Sequence, residues 1–376
     1  MRIAVIGAGK SGCISAISAK YLSEIVSKDV EIQIYHDPSI NIKNDSIGSC
    51  YETVKLLFKF HQGELSFKDL DDNLDVTLKT GILYKDWGKG GFNFHGDDGG
   101  TLIHFIPKKF SDYILSKKEF TVIEKNIYDP ESEVDADVII DCRGRDETIK
   151  YQSIINPINS SMSACKDTED IKDWSDHIAR PHGWILAIPN KKSIYYEYFY
   201  NKKMSSKEDV ISDFTEFLGI QPKKYKYVNN YLADGIFVGE RTIINGSRYC
   251  SLEPLEAMSL QIYQHVTFKG LKHFFGSLTK EEVNKKMFSK MMKWESMLLW
   301  CYHSGSIYDT NFWNYAKNLD YRESIKPRFF ELLDKVDLDR AKTQTDSDTF
   351  NHCNDQGVER MSSNIFLAEW DKAGIW

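Results

Sequence analysis

Residues 2–6, Arg-Ile-Ala-Val-Ile, form a short apolar run whose β-branched content predicts a buried strand. Apolar residues then recur at helical spacing, at Ile14, Ile17, Tyr21, Leu22 and Ile25. Residues 30–35 alternate between apolar and polar side chains, which predicts a second strand. The order strand, helix, strand predicts a βαβ unit with parallel strands at the beginning of the chain.

The pattern predicts β-structure again in the middle of the chain and helix towards its end. Residues 136–141 predict a further strand, and residues 194–200 predict a β-rich segment lined with tyrosine. From Pro254 onward the spacing is helical, and Thr279 with Glu282 predicts a capping box. The helix after this box has its apolar positions at Val283, Met287, Met291 and Leu298. The tail after about Lys342 is polar and weakly patterned, as expected of a mobile segment.

A glycine-rich turn follows the first predicted strand. It consists of Gly7, Ala8, Gly9, Lys10, Ser11 and Gly12. In dinucleotide-binding units the first glycine permits the tight turn, the second lets the backbone approach a pyrophosphate, and the third lets the helix pack on the strand. The helix N-terminus then offers free N–H groups to the phosphates. After the second strand, Asp37 is the expected ribose ligand, with His36 one place before it. The turn therefore predicts a bound dinucleotide, and it does not separate NAD from FAD.

A second segment favours FAD. Residues 246–256, Gly-Ser-Arg-Tyr-Cys-Ser-Leu-Glu-Pro-Leu-Glu, are predicted to be a loop that closes onto a helix with Pro254 in its first turn. In flavin monooxygenase-type folds a helix N-terminus of this kind faces the isoalloxazine and stabilises negative charge on the reduced ring. A polar loop that caps an ordinary helix is the alternative.

Composition and charge exclude several classes of protein. The net charge of −7 gives no general attraction to nucleic acid or anionic membranes. The apolar runs are too short to span a bilayer, and Met1 leads straight into the first strand, so we expect a cytoplasmic protein. The seven cysteines are scattered, which predicts reduced thiols. The ten histidines show no metal-ligand spacing, so no structural metal is expected.

Six segments, which occur along the chain in the order that the family has, resemble motifs of the flavin-dependent, tryptophan-type halogenases. Residues 78–87 are similar to F-K-L-G-I-x-F-x-x-W, residues 183–189 to G-W-x-W-x-I-P, and residues 252–256 to I-E-P-L-E. The weaker matches are residues 48–54 to G-V-G-E-A-T-V, residues 141–144 to D-C-S-G, and Cys301-Tyr302-His303 with Phe312-Trp313 to L-H-Y … F-W. Together they cover residues 1 to about 315.

The sequence also departs from these motifs. Leu186 replaces the second tryptophan of the W-x-W-x-I-P motif, and Gly246-Ser247 replaces the usual Gly-Asp pair. Cys50-Tyr51-Glu52 stands where the family has G-E-A, and Ala257-Met258-Ser259 where it has S-T-G. With its shorter C-terminal part, the chain resembles the compact members known from bacteriophages, which would place it in the host cytoplasm.

The resemblance implies an α/β fold with an FAD-binding, Rossmann-like core of the flavin monooxygenase type, an antiparallel β-sheet and a C-terminal helical subdomain. Reduced FAD, O2 and a halide (bromide, iodide or chloride) would give hypohalous acid. Lys79 would deliver the halogen to an electron-rich indole or phenol, and Glu256 beside it would polarise the acid or accept the ring proton. For a random lysine a solvated surface position is the ordinary alternative, and for Glu256 a first-turn residue favoured by the helix dipole.

The resemblance also implies roles for further residues. Besides the glycine turn with His36 and Asp37, the flavin would contact Gly48, Ser49, Ser247 and Ile262. The halide would lie at Met258 and Ser259. The substrate side would be formed by Trp184, Ile188, Pro189, Trp87 and His303, although core packing explains each of these equally well when it is taken alone.

The predicted organisation is a core over residues 1–270, with an inserted substrate-side sheet, and a helical subdomain over residues 271–376 that covers the substrate site. The expected partners are a separate flavin reductase and a small aromatic substrate, and homo-oligomer formation stays open. Two alternatives also stay open. A flavin-dependent hydroxylase needs no lysine at position 79, and a catalytically inactive flavoprotein that serves as a binding module would explain the altered Gly-Asp and Gly-Glu motifs.

Overall fold

The computed structural model describes residues 1–42, 47–49, 51–61, 66–88, 91–94, 102–255 and 257–323. Of residues 51, 52 and 91–94 only the backbone is described. The predicted mobile tail after Lys342 lies outside the described residues. No helix in the described part of the chain is long and apolar enough to cross a membrane.

The described residues form nineteen strands and nine α-helices. The strands are β1 (Arg2–Ile6), β2 (Glu31–His36), β3 (Ile47–Gly48), β4 (Thr77–Lys79), β5 (Gly81–Lys85), β6 (Gly91–Phe94), β7 (Leu102–Phe105), β8 (Thr121–Glu124), β9 (Val138–Asp141), β10 (Tyr151–Ser153), β11 (Ser160–Asp167), β12 (Ser175–Arg180), β13 (Gly183–Pro189), β14 (Ser193–Tyr200), β15 (Lys224–Tyr227), β16 (Tyr231–Ala233), β17 (Phe237–Val238), β18 (Thr242–Ile244) and β19 (Cys250–Ser251). The helices are α1 (Lys10–Ile25), α2 (Tyr51–Phe60), α3 (Phe67–Leu74), α4 (Pro107–Leu115), α5 (Pro130–Glu133), α6 (Lys207–Leu218), α7 (Ser259–Phe274), α8 (Lys280–His303) and α9 (Asn311–Ala316), with a 3-10 turn at Gly246–Arg248.

The chain divides into two compact units, each assembled from separate segments. The first consists of Met1–Thr77, Leu102–Ser153 and Tyr231–Phe288. The second has its described residues within Leu78–Thr101, Ile154–Asn230 and Ser289–Trp376. The division into residues 1–270 and 271–376 stays a prediction.

The first unit is built on a six-stranded sheet in the order β17-β18-β9-β1-β2-β8. Strands β18, β9, β1, β2 and β8 are parallel, and β17 is antiparallel to β18. The predicted βαβ unit is confirmed, since α1 connects the parallel strands β1 and β2. β9 corresponds to the strand predicted over residues 136–141 and pairs with the other side of β1. In open sheets of this type, the point where connections leave in opposite directions opens a crevice at the carboxyl ends of the strands.

The glycine turn is fixed by one close approach between helix and strand. Gly7 has a φ of +101°, a conformation that favours glycine. A Cβ added to Gly12 would overlap the carbonyl oxygen of Gly7, so only glycine lets α1 begin this close to the end of β1. A Cβ on Gly9, in contrast, would meet no atom within 4 Å.

The second unit is built on a seven-stranded sheet in the order β15-β11-β14-β13-β12-β5-β6. All its neighbouring strands are antiparallel except β5 and β12, which are parallel. The tyrosine-lined β-segment predicted over residues 194–200 is confirmed as β14. One face of the sheet packs against α6, whose Val210, Phe214 and Leu218 lie in a buried cluster with Met162 and Ile185. β15, with the sequence Lys-Tyr-Lys-Tyr, lies at the edge of the sheet.

The helical predictions are confirmed with one correction. Thr279 and Glu282 form the predicted capping box, with the Thr279 amide donating to Glu282 Oε2 at 2.7 Å and the Glu282 amide to Thr279 Oγ1 at 3.2 Å. Val283, Met287, Met291 and Leu298 of α8 are all buried, as predicted. The helix predicted to begin at Pro254 begins instead at Ser259. Ala257 has a φ of +52°, which lies outside the helical region and delays the first turn.

Gly12→Ala is expected to lower the free energy of unfolding by about 3 kcal/mol, because the new methyl group overlaps a backbone carbonyl that cannot move aside. Urea denaturation followed by circular dichroism measures this. Gly9→Ala is the matched control, with an unchanged denaturation midpoint. Equal midpoints for the two variants would contradict this account of the turn.

Candidate functional site

The glycine turn has the features of a phosphate cradle. Gly9 is the N-cap of α1 and has no side chain with which to accept from the N–H groups of the first helical turn. The open space around Gly9 lets another group approach the backbone there. Ala8 and Ser11 of the turn are buried, whereas Lys10 is partly exposed. The turn therefore fits the diphosphate of a dinucleotide.

The predicted ribose ligands lie directly after β2. Oδ1 of Asp37 accepts from the Ser39 amide at 2.9 Å and from Ser39 Oγ at 2.6 Å. These hydrogen bonds hold the pKa of Asp37 below its usual range, so the carboxylate stays ionised and remains an acceptor at neutral pH. The neighbouring His36 Nε2 lies 3.8 Å from Glu124 Oε1. Ribose binding by these two residues stays a prediction.

Two further loops contact the glycine turn at the carboxyl ends of β9 and β18. The Cys142 amide donates to the Ile6 carbonyl at 2.8 Å. Gly246 has a φ of +64°, and a Cβ added to it would lie 2.5 Å from Ser11 Oγ. Ser247 is exposed, and its carbonyl accepts from the Tyr231 hydroxyl at 2.6 Å.

A buried ion-pair network joins these two loops. Asp141 is the last residue of β9. Its Oδ2 lies 2.8 Å from Arg143 Nη2 and 2.9 Å from Arg248 Nε. Arg248 also pairs with Asp146. Sequence reasoning missed this network because an arginine two residues after a glycine carries no motif, and only the sheet order brings β9 and β18 together.

The remaining predicted flavin and halide residues lie on two segments: β3 with the residue after it, and the N-terminal part of α7. Ser49 Oγ accepts from the Ile103 amide at 2.9 Å, which fixes the segment that follows Gly48 of β3. Met258 and Ser259 lie at the N-terminus of α7, where no side chain caps the helix, and Ile262 is buried one turn further along. Glu256 lies outside the described residues. An uncapped helix N-terminus attracts anions, which is consistent with the predicted halide position.

Lys79 is the last residue of β4, and only 3% of its surface is exposed. The segment that follows is fixed, because the Thr80 amide and hydroxyl both donate to the Asp173 carbonyl, the latter at 2.9 Å. Lysine is almost never buried to this degree in proteins unless it is paired. The ordinary alternative for this residue, a solvated surface lysine, is therefore wrong.

An aromatic cluster fills the interior of the second unit. Trp87 lies 4.9 Å from Trp313 and 6.0 Å from Trp184 between ring centroids, and 5.5 Å from Tyr302. All four side chains are at most 1% exposed. Trp184 Nε1 donates to the Tyr302 hydroxyl at 2.8 Å, a hydrogen bond that no sequence motif predicts. The arrangement holds the predicted residues Trp87 and Trp184 together as edge-to-face neighbours.

The other predicted substrate-side residues lie on different elements. Ile188 and Pro189 are buried on β13. His303 Nε2 bonds the Leu319 carbonyl at 2.7 Å, and its ring lies 4.8 Å from that of Tyr321. Within the described ranges no group of three histidine, cysteine or acidic side chains is arranged to hold a metal ion.

A glycine turn at the carboxyl edge of a parallel sheet is the arrangement that holds the diphosphate of a dinucleotide cofactor. The sequence matches the tryptophan halogenase family model over residues 119–358, more than half of its length. The chain belongs to the tryptophan halogenase family, whose members are FAD-dependent halogenating oxidoreductases.

Several solved structures share the fold at low sequence identity. Tryptophan 6-halogenase SttH from Streptomyces toxytricini is 14% identical, with 99% of this chain and 96% of that chain covered and a TM-score of 0.75. Xcc4156, a flavin-dependent halogenase from Xanthomonas campestris, is 12% identical over 99% and 94%, with a TM-score of 0.76. BrvH, a flavin-dependent halogenase from Brevundimonas sp. BAL3, is 13% identical over 99% and 96%, with a TM-score of 0.74. No curated protein matches the sequence.

Gly9→Ala is expected to weaken FAD binding by about tenfold or more, because its methyl group projects into the open space beside the helix N-terminus. Titration of the flavin fluorescence measures the affinity. Gly219→Ala, on the second unit, is the control: its surroundings are equally open, and since Gly219 has a φ of +68°, the variant can lose stability but should keep its FAD affinity. Wild-type affinity in Gly9→Ala would show that the phosphates bind elsewhere.

Tyr302→Phe is expected to destabilise the protein by about 1–3 kcal/mol, because it leaves the buried Trp184 Nε1 without its acceptor. Chemical denaturation measures the effect. Tyr227→Phe also removes a hydroxyl group, but from a residue that is 74% exposed, so it should change the unfolding midpoint little. If both variants unfold alike, the hydrogen bond contributes nothing to the cluster.

Proposed function

We propose that this protein oxidises a halide to hypohalous acid at bound FAD and transfers the halogen through Lys79 to an electron-rich aromatic compound of the indole or phenol type. The observation that carries the proposal is the burial of Lys79 at the end of β4 in a chain of the halogenase family. A buried amine is shielded from water, and that is the environment in which a reactive halogen survives transfer.

FAD fits the first unit, since the cradle at Gly9 is open and its helix end is uncapped. When bound in its reduced form, FAD supplies the electrons with which O2 and a halide give hypohalous acid. The glycine turn would hold the diphosphate, and Asp37 a ribose hydroxyl. Gly48, Ser49, Ser247 and Ile262 would hold the rest of the flavin. Met258 and Ser259 would bind the halide through the helix N-terminus.

Lys79 would carry the halogen from the hypohalous acid to the aromatic ring. Its neutral amine attacks the halogen of the acid, so that the N–X bond forms and the O–X bond breaks, and the leaving hydroxide takes a proton from the nitrogen and departs as water. The aromatic ring then attacks the halogen, and the electron pair of the N–X bond returns to the nitrogen. The ring loses its proton to a carboxylate, a role that we assign to Glu256, and the nitrogen takes up this proton, which restores the amine.

The aromatic and apolar side chains of β13 would keep the organic substrate away from the flavin. Trp184, Ile188 and Pro189 lie on this strand, all of whose residues are buried, and Leu186 leaves the wall thinner than a second tryptophan would. Trp87 and His303 complete the proposed substrate side. The enzyme would take its reduced FAD from a separate flavin reductase.

Lys79→Ala is expected to abolish halogenated product while flavin binding stays unchanged. The assay contains the protein, FAD, a flavin reductase, NADH, O2 and bromide, iodide or chloride, with a panel of phenols and indoles analysed by mass spectrometry. Lys85→Ala is the matched control, because this exposed lysine lies six residues further along the chain and pairs with Asp176 at 3.6 Å.

Three outcomes would overturn the proposal. Unchanged turnover in Lys79→Ala removes the lysine from the mechanism. Oxygenated product without halogen, together with NADH consumption in the absence of the reductase, identifies a hydroxylase. Flavin binding without any product across the whole panel identifies an inactive flavoprotein.

A further inference from the structure

The loop after β18 lacks the acidic residue that the family has beside its glycine. Ser247 occupies that position and is exposed to solvent. The loop nevertheless stays closely tied to the rest of the cofactor-binding edge, and the residue that ties it is the next one, Arg248.

Arg248 is fixed at four points, and only 11% of its side chain is exposed. Its Nε lies 2.9 Å from Asp141 Oδ2, and its Nη1 donates to the Gly144 carbonyl at 3.1 Å. It also forms an ion pair with Asp146, and its own carbonyl accepts from the Tyr151 hydroxyl at 2.7 Å. One side chain therefore joins the loop after β18 to the whole turn 141–146 after β9.

The carboxylate at the centre of this network is almost inaccessible to water. The side chain of Asp141 is 2% exposed and is shared by two guanidinium groups, those of Arg143 and Arg248. Charge-assisted hydrogen bonds of this kind are among the strong ones in proteins, and removing one partner leaves a buried charge incompletely compensated.

Both loops that Arg248 joins touch the phosphate cradle. A Cβ on Gly7 would lie 3.3 Å from the Cys142 carbonyl oxygen, and Gly246 lies against Ser11. The two arginines balance Asp141 and Asp146, so the network carries no net charge. Without Arg248 it would carry one negative charge beside the site of an anionic diphosphate, and the loop would lose its anchor.

We infer that Arg248 is a positioning residue for FAD. Through its ion pair with Asp141, Arg248 holds the loops after β9 and β18 against the glycine turn. The inference depends on one part of the proposed function, namely that the cofactor is FAD.

The test compares Arg248→Met and Arg248→Lys with Arg241→Met. Arg241 is a matched control, because it pairs with Glu131 at 3.0 Å and bonds the Ala136 carbonyl at 2.5 Å, but precedes β18 at the opposite end of the same sheet. FAD affinity is measured by fluorescence titration. The unfolding midpoint of each cofactor-free protein is measured separately.

We expect Arg248→Met to weaken FAD binding at least tenfold and Arg248→Lys to retain part of the affinity, since lysine keeps the charge but not the fork of donors. Arg241→Met should lower the unfolding midpoint by a similar amount while FAD affinity stays within twofold of wild type. Wild-type affinity in Arg248→Met, or an equal loss in Arg241→Met, would overturn the inference alone. Failure of the wild-type protein to bind FAD would overturn the proposed function as well.

Discussion

The approach of Gly12 to the carbonyl of Gly7 is the contact on which the cofactor-binding unit depends. It determines where α1 begins and therefore directs the N-terminus of that helix to the carboxyl end of β1. Helix α1 is buried without interruption from Ser11 to Ala19, so its position also fixes the packing around it. A larger residue at position 12 would displace the helix and the phosphate cradle together.

The second unit is stabilised by a different kind of interaction. Its interior combines large aromatic rings with a few directed hydrogen bonds, such as those from Trp184 to Tyr302 and from Trp313 Nε1 to the Arg180 carbonyl at 2.7 Å. Each bond orients a ring that would otherwise pack in several ways. In the same unit Lys79 is held inside the protein rather than on its surface.

The local parts of the fold were predictable because they depend on neighbouring residues. The βαβ unit, β14 and the capping box at Thr279 all follow from periodicity or a motif of a few residues. The start of α7 was not predictable, because the positive φ of Ala257 has no sequence signature. In the candidate site, the glycine turn and Lys79 were predicted from sequence motifs. Arg248, the second partner of Asp141, and Tyr302, the partner of Trp184, each lie more than a hundred residues away, and only tertiary structure brings them together.

The edge strand β15 places Lys224 and Lys226 on one face and Tyr225 and Tyr227 on the other. Lys207 Nζ lies 3.8 Å from the ring centroid of Tyr225, and Lys202 Nζ lies 4.4 Å from that of Tyr227, so lysine side chains also cover the tyrosine face. On the other face Lys226 pairs with Glu197 at 3.1 Å. A second copy that paired with β15 would bring its own lysines close to these side chains. The charge thus acts as a barrier to sheet growth and aggregation, and it is a barrier that high ionic strength weakens.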